Sequence, residues 1–174
     1  MPTPKFQYVF KIFHYLKFLL TSTNQHGVHS PFIYSYVTKC LYAKSKYPQS
    51  KSMNVLLKSI GYFNIKEVNI PENQQAQKIV QEYFPHVNIS SRPSKILWVS
   101  AHKSKLLATV LSDENSLMND SLLLIDGIYS NSRNYTVWRT LKNNEKVRVT
   151  VDMYYCGAVF FRKEQAKEHF KIRI

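Results

Sequence analysis

Two short runs of consecutive apolar residues constrain the fold of this chain more than any other feature. They cover residues 95–99, with sequence KILWV, and residues 121–126, with sequence SLLLID. A strand without polar alternation is buried on both faces, which is typical of a parallel sheet covered by helices on each side. Residues 103–111 between them have helical character. The sequence therefore predicts an α/β three-layer sandwich.

The other segments of the chain fit the same architecture. Further helices are predicted over residues 6–20, 53–63, 73–84 and 134–142, and short strands over residues 65–70 and 87–89. Near the end of the sequence, Val147, Val149 and Val151 alternate with polar residues, which is the period of a half-buried strand. We expect a turn around residues 156–157 and a second strand over residues 158–161, so that an antiparallel pair closes the sheet.

The length and composition are those of one folded domain. The 174 residues are 44% apolar and 14% aromatic, which is enough to bury a core. We divide the chain into a basic, helical extension over residues 1–52, packed on the core, and a reduced α/β domain over residues 53–174. Cys40 and Cys156 lie far apart and form no ligand pattern, so we expect a reducing, cytoplasmic location and no structural metal.

The net charge of +13 is concentrated in the first third of the chain. Residues 1–66 contain nine lysines and no acid, and Glu67 is the first carboxylate. This asymmetry predicts an anionic partner, which could be nucleic acid, lipid head groups or an acidic protein. A lysine-rich solvated surface is an equally weighted interpretation. The same residues contain no arginine, so bidentate contacts to phosphate or guanine are not available there.

The predicted helix over residues 6–20 is unusually apolar. Lys11, His14 and Lys17 form one narrow polar stripe on it. The segment is too short and too charged to span a bilayer, and it lacks the features of a signal peptide. Docking on its own domain is the favoured interpretation, because an apolar arc this wide needs protein on several sides. The alternative is a helix that lies in a membrane interface, peripheral to the inner membrane.

The phrase NQHGVHSPF over residues 24–32 predicts a turn followed by a helix. Gly27 permits a tight turn, Ser30 is the expected N-cap and Pro31 the first helical residue. His26 and His29 are three residues apart in this turn and have no carboxylate or third nitrogen ligand nearby. We expect them to tie down the loop by hydrogen bonds and not to bind a metal.

Two phrases resemble a known family. The ending KVRVTVDMYYCGAVFFRKEQAKEHFKIRI and the phrase HGVHSPF followed by YSYVTKCL are similar to both ends of a family of bacterial S-adenosylmethionine-dependent methyltransferase-like proteins common in the Bacteroidetes. The resemblance implies a Rossmann-like class I methyltransferase fold. It also implies a cofactor site at the carboxyl ends of the first strands, with a glycine-rich turn after the first strand and an acid at the end of the second.

The chain departs from that pattern where the cofactor would bind. Its four glycines form no GxG, although glycines there would let the backbone approach the cofactor. The matching stretch is residues 65–73, in which Pro71 and Glu72 stand where glycines are expected. We interpret this as the deletion of about one strand–helix unit, and Glu72 as a relic of the ribose-binding acid.

The resemblance also points to the ends of two later strands. Ser100 stands where the family has an acid, and His102 is retained. Asp126 remains of a pair of acids, with Gly127 in the second position, and a single carboxylate would hold a divalent metal poorly. His102 and Asp126 are a candidate general-base pair on one rim of the sheet. The favoured alternative is that Asp126 caps the next turn and His102 is a loop residue.

These observations predict a degenerate methyltransferase-like protein. We expect cofactor binding and catalysis to be lost, and a scaffold or binding role, as a pseudoenzyme, to be retained. The alternatives are an active methyltransferase that uses S-adenosylmethionine, and a basic protein that binds nucleic acid or a membrane surface.

Overall fold

The computed structural model describes residues 4–44, 47–71, 73–112 and 119–174, except for the side chains of Pro4 and Lys5. The helices are α1 (Pro4–Thr21), a short 3₁₀ turn (Gln25–Gly27), α2 (Pro31–Ser35, which continues as a π-helix over Tyr36–Leu41), α3 (Lys51–Tyr62), α4 (Gln74–Tyr83), α5 (Ser104–Ser112) and α6 (Ser132–Asn143). The strands are β1 (Glu67–Asn69), β2 (Asn88–Ser90), β3 (Ile96–Ser100), β4 (Leu122–Asp126), β5 (Val149–Asp152), β6 (Cys156–Phe160) and β7 (Glu168–Lys171).

The seven strands form one mixed sheet in the order β2-β1-β3-β4-β6-β5-β7. All of them run parallel to one another except β6, which is antiparallel to β4 and to β5. The carboxyl ends of the other six strands therefore lie along one edge of the sheet, here called the carboxyl rim. The predicted α/β class and the antiparallel pairing of the two late strands, β5 and β6, are confirmed, but this pair does not close the sheet, because β7 adds to the outer side of β5.

Helices cover both faces of the sheet, as the continuous apolar strands require. On one face, Val68, Ile96, Leu122, Phe160 and Val149 lie side by side in register and pack against α2, α3 and α4. The other face packs against α5 and α6, where Trp138 and Leu141 are buried. Residues of α2 and its π-helix share the first core cluster with α3 and the sheet.

The connection between β2 and β3 is unusually short. Residues 91–95 join these two parallel strands without a helix, whereas a parallel crossover usually needs a dozen or more residues. Asn69 at the end of β1 donates from Nδ2 to the Arg92 carbonyl (3.1 Å), and the Ser94 hydroxyl donates to the Ile96 carbonyl (2.6 Å). These bonds fasten the short crossover to the sheet.

The two phrases of the family resemblance meet in space. Thr23 forms a parallel bridge with Ile172 beyond the end of β7, and its N–H donates to the Lys171 carbonyl (2.9 Å). Ser30 caps α2 by accepting from the Ile33 N–H and donates to Gln165 Oε1 (2.9 Å). The prediction of Ser30 as N-cap and Pro31 as first helical residue is confirmed.

The turn predicted at Cys156 and Gly157 is wrong. Both residues lie in β6. The chain turns between β5 and β6, at residues 153–155, where Tyr154 adopts a positive φ of 65°. Gly157 is needed for packing and not for turning, because a Cβ there would lie 2.5 Å from the Trp138 ring.

The terminal strands are also more buried than predicted. All four residues of β5 are buried, so it is not a half-buried strand. The reason is β7, which the sequence analysis did not predict. It pairs with the outer side of β5 and places that strand in the interior of the sheet.

None of the helices in the described ranges is long and apolar enough to cross a membrane. α1 comes closest in length, with 18 residues, and it contains lysine side chains at intervals.

Substitution of Gly157 by alanine tests the packing of β6 on α6. The added methyl group would overlap the Trp138 ring, and overpacking of this kind costs about 1–3 kcal/mol. The matched control is Gly61→Ala in α3, where a Cβ would meet its nearest neighbour at an ordinary 3.7 Å. We expect urea unfolding to show a lower free energy of unfolding for Gly157→Ala, and no loss for Gly61→Ala. Equal effects of the two substitutions would contradict this packing.

Candidate functional site

α1 lies across the carboxyl rim and docks there through aromatic rings. Tyr129, which follows β4, stacks on Tyr135 of α6 and on Tyr154 after β5, with centroid distances of 5.0 Å for both pairs. The His14 ring of α1 lies 4.5 Å from Tyr135 and 5.6 Å from Tyr129. Phe18 lies 5.7 Å from Tyr154. One face of α1 is therefore fixed over the ends of β4 and β5.

A buried carboxylate holds these tyrosines in place. Asp152, which is 2% exposed, accepts through Oδ2 from the Tyr129 hydroxyl (2.8 Å) and from Trp138 Nε1 (3.1 Å). Its Oδ1 accepts from the Tyr154 N–H (3.0 Å). Burial raises the pKa of Asp152, and the three hydrogen bonds oppose that shift. Burial and the nearby Asp152 charge raise the pKa of the Tyr129 hydroxyl, which therefore remains a donor at neutral pH.

A cavity of about 340 Å³ opens at the rim between α1, the start of α3 and the end of β4. We call it the rim cavity. Its lining residues are Lys11, Ser50, Lys51, Ser52, Asp126, Gly127, Tyr129, Ser130, Tyr154 and Tyr155. It combines two lysines, one carboxylate, hydroxyl groups and aromatic rings. Such a mixed lining suits a polar ligand more than an apolar one.

Several polar groups of this cavity already have protein partners. Lys51 Nζ donates to the Ile174 carbonyl (2.6 Å) and lies 4.9 Å from the Tyr155 ring centroid. Ser50 caps α3 by accepting from the Met53 N–H (3.3 Å). The buried Ser52 Oγ has no hydrogen-bond partner among the described residues.

The predicted pair of His102 and Asp126 is divided between two environments. Asp126 ends β4 opposite Ser100, the last residue of β3, and lines the rim cavity. His102 is exposed, and its Nδ1 shares a 2.7 Å hydrogen bond with the Ser100 hydroxyl. His102 is not among the residues that line the cavity. Both residues thus lie on one rim, as predicted, but the partner that the structure gives His102 is Ser100.

The end of β1 is the position at which the resemblance would place the cofactor. From β1 the chain leads to β2 on one side and returns to β3 on the other, so this is the topological switch point of the sheet. Asn73 accepts from the Ala76 N–H (2.9 Å) at the start of α4, and Gln77 Nε2 donates to the Ile70 carbonyl (2.7 Å). Glu72, the proposed relic of the ribose-binding acid, lies outside the described residues.

A larger trough of about 610 Å³ lies beside the switch point, between the ends of β1 and β2 and the side of α5. Its lining is Asn69, Ile70, Pro71, Gln77, Ile89, Ser90, Ser91, Pro93, Leu97, Leu106, Thr109 and Val110. This set contains no ionisable side chain. β2 ends at Ser90 and Ser91 follows it, so this strand end carries no carboxylate.

The histidines of the N-terminal phrase lie on the surface. His26 and His29 are exposed, and the His26 N–H donates to Asn24 Oδ1 (3.0 Å). Across the described parts of the chain, no group of three or more His, Cys, Asp or Glu side chains is arranged to hold a metal ion.

The sequence analysis missed the residues that organise the rim. Asp152 occupies a polar position in the alternation of residues 147–152, and such a position is expected to face solvent. Lys11 and Ser52 come from segments more than 70 residues away from Asp126. The signal that could have found the site is the group of tyrosines at positions 129, 135 and 154, because a buried tyrosine hydroxyl, such as that of Tyr129, needs an acceptor.

No protein-family model, curated protein or solved structure matches this chain. The fold itself defines the class, which is an α/β protein whose mixed sheet is compatible with a Rossmann-like sandwich.

Removal of the Asp152 carboxylate tests whether it organises the rim. Asp152→Ala leaves the Tyr129 hydroxyl and the Trp138 N–H buried without an acceptor, so we expect a loss of about 2–4 kcal/mol in the free energy of unfolding. The control is Glu164→Ala, which breaks a surface ion pair with Arg162 (2.6 Å) and should change the free energy of unfolding little, because exposed ion pairs are weak. Urea unfolding followed by tryptophan fluorescence measures both. A small effect at Asp152 would contradict the assigned role.

The docking of α1 should weaken in acid. Burial, and secondly Lys17, lower the pKa of His14 below 6.5. The folded protein therefore binds fewer protons than the unfolded chain in this range, and stability falls as the pH drops below 6.5 through the lowered pKa of His14. The raised pKa of Asp152 has the opposite effect, because protonation of this carboxylate in acid stabilises the folded protein. A variant at His14 is therefore needed to separate the two contributions to stability. We expect His14→Gln to lose less stability than the wild type between about pH 7.5 and pH 5.5, and equal losses would exclude His14 as the cause.

Proposed function

We propose that this chain is a methyltransferase-like protein that has lost cofactor binding and catalysis, and that acts as a binding or scaffold protein. The lineage part rests on the resemblance of its two ends. The fold supports it, since a sheet of parallel strands with an antiparallel strand near its end is what the resemblance implies.

The observation that carries the loss of cofactor binding is the hydrogen bonding at the end of β1. The groups there that would face a cofactor are engaged by the protein itself. The Asn73 side chain accepts from the Ala76 N–H. The Gln77 amide donates to the Ile70 carbonyl, and the Asn69 amide donates to the Arg92 carbonyl of the crossover. S-adenosylmethionine would have to displace these bonds. We infer that the residues present do not fit this cofactor.

The shape of the chain around the switch point supports the same inference. Pro71 replaces a glycine in the turn after β1, and a proline ring stiffens the backbone at that point. The five-residue crossover over residues 91–95 lies beside this turn and leaves no helix between β2 and β3. The proposed deletion of one strand–helix unit is at the cofactor loop, in the stretch over residues 65–73.

The environment of the candidate base pair favours a binding role over catalysis. His102 is exposed and bonded to Ser100, while Asp126 lines a separate cavity with Lys11. A general base needs its orienting partner within hydrogen-bond reach. We propose that Asp126 is part of a binding cavity, and that the partner of the protein is anionic and contacts the lysine-rich N-terminal third.

Titration with S-adenosylmethionine tests this proposal. A ligand at about 100 times its Kd stabilises a folded protein by about 2.7 kcal/mol, which raises Tm by roughly 5–10 °C for a domain of this size. We expect no change in Tm and no heat by calorimetry with S-adenosylmethionine or S-adenosylhomocysteine. Micromolar binding would support the alternative, an active methyltransferase.

A pair of matched variants would show where S-adenosylmethionine binds, if binding is found. Gln77→Ala frees the Ile70 carbonyl at the switch point, whereas Gln81→Ala changes an exposed residue on the same helix. If the cofactor binds at the end of β1, only the first substitution should alter its affinity.

A further inference from the structure

The outer face of α1 is a large apolar surface without a partner in the described structure. Its residues Phe6, Val9, Phe13, Leu16 and Leu20 follow one another at spacings of three and four, so they form one stripe along the helix. Each of them is between 55% and 88% exposed. Single exposed apolar residues are ordinary, but a continuous stripe marks an interaction surface.

The opposite face of α1 is already used for docking. Phe10, His14 and Phe18 contact the tyrosines of the carboxyl rim, and the Lys11 carbonyl accepts from the Tyr154 hydroxyl (2.8 Å). Reorientation of α1 to bury the outer stripe would therefore break these contacts. The stripe is a surface that the folded domain presents outward.

Basic groups lie near the stripe. Lys17 borders it on the helix, whereas Lys11 lies on the opposite face of α1, toward the rim cavity. Near the end of α1, Lys171 Nζ donates to the Thr21 hydroxyl (2.8 Å). The Arg139 guanidinium lies 6.0 Å from the Tyr135 ring, which contacts Phe10 and His14. Lys51 lies over Tyr155 at the mouth of the rim cavity.

The carboxylates at this rim do not offset these charges at the surface. Asp152 is buried beneath Tyr129, and Asp126 lies in the rim cavity. The first 66 residues contain no acid at all. The stripe is thus apolar, with Lys17 at its border and further basic groups on the neighbouring rim.

We propose that α1 docks the protein on an anionic lipid surface, with the stripe in the acyl boundary and the lysines at the head groups. This names the anionic partner of the proposed binding role and rests on that role. A helix of 18 residues is about 27 Å long and lies in the plane of the interface, as amphipathic helices with basic borders do. Phe6, Tyr8 and Phe13 supply the aromatic rings that favour this depth.

The charge distribution favours lipid over a second copy of the chain. Two α1 stripes face to face would bring together helices that contain lysines and no acid, in proteins with a net charge of +13. Anionic head groups instead neutralise each lysine near the surface, which favours the bound state. Nucleic acid is disfavoured because its interfaces are polar, whereas this stripe is apolar.

Docking in this orientation brings the rim cavity to the membrane. Lys11 lines the cavity from α1, and a shallow groove of Lys11, Ile12, Tyr15, Leu16, Tyr154 and Tyr155 leads from it along the helix. A ligand of the cavity would then reach it from the interface.

Vesicle sedimentation tests the proposal. The purified protein is mixed with phosphatidylcholine vesicles that contain about 30% phosphatidylglycerol, or none. We expect binding to the anionic vesicles, weaker binding to the neutral ones, and a marked loss between about 50 mM and about 500 mM salt. The proposal would be overturned if the folded protein did not bind the anionic vesicles at low salt, or if it bound anionic and neutral vesicles equally.

Variants identify the surface. The double substitution Phe13→Gln with Leu20→Gln removes two exposed side chains of the stripe and should weaken vesicle binding at least about tenfold. Its control, Tyr34→Gln, changes an exposed aromatic residue of α2 and should bind as the wild type. Circular dichroism checks that each variant is folded. Unchanged binding of the double variant would show that α1 is not the docking surface.

Charge variants complete the design. Lys17→Gln should weaken binding about fivefold, whereas Lys146→Gln, before β5 on the opposite rim, should not. If light scattering shows a dimer that the stripe variant abolishes, the partner is a second copy and not lipid. If the protein binds an oligonucleotide but no vesicles, the partner is nucleic acid. The titration with S-adenosylmethionine does not depend on vesicle binding. The proposed loss of cofactor binding and the proposed lipid docking can therefore fail separately.

Discussion

The organisation of the carboxyl rim depends on one buried carboxylate. Asp152 binds the loop after β4 through Tyr129, α6 through Trp138 and its own turn through the Tyr154 N–H. Burial of a carboxylate is costly, and three hydrogen bonds in a medium of low dielectric offset that cost only when their geometry is maintained. The stacked tyrosines are consequently fixed. They form the platform on which α1 lies, so the orientation of the outer stripe follows from an interaction in the interior.

The charged side chains that line a cavity in this structure lie away from the end of β1. At the switch point, side chains and a short crossover use the polar groups that a nucleotide cofactor would need. At the end of β4, by contrast, a carboxylate, two lysines and a buried hydroxyl surround a cavity. A sheet of this kind offers several strand ends along one edge, so a site at one strand end does not depend on a site at another.

Much of the fold followed from the sequence, and the organisation of the site did not. Periodicity found the buried strands β3 and β4 and the capped start of α2, because these depend on local patterns. It found the strand β5 but not its burial, and it misplaced the turn at Gly157, because these depend on β7 and on Trp138, which lie elsewhere in the chain. Asp126 was found from its place at a strand end, whereas Asp152 was missed, since no local pattern shows that a polar position of a strand will be covered.

The joining of residues 22–30 to residues 165–173 has a consequence for the order of folding. Thr23 and Ser30 find their partners only after β7 has been synthesised, and contacts so distant in sequence form late. Until then, α2 lacks its attachment to the end of the sheet, and α1 has no finished rim to lie on. A ribosome-bound chain would expose both faces of α1 for almost the whole of its synthesis. Nascent chains with such apolar segments depend on protection against aggregation, so α1 is made long before the contacts that secure it.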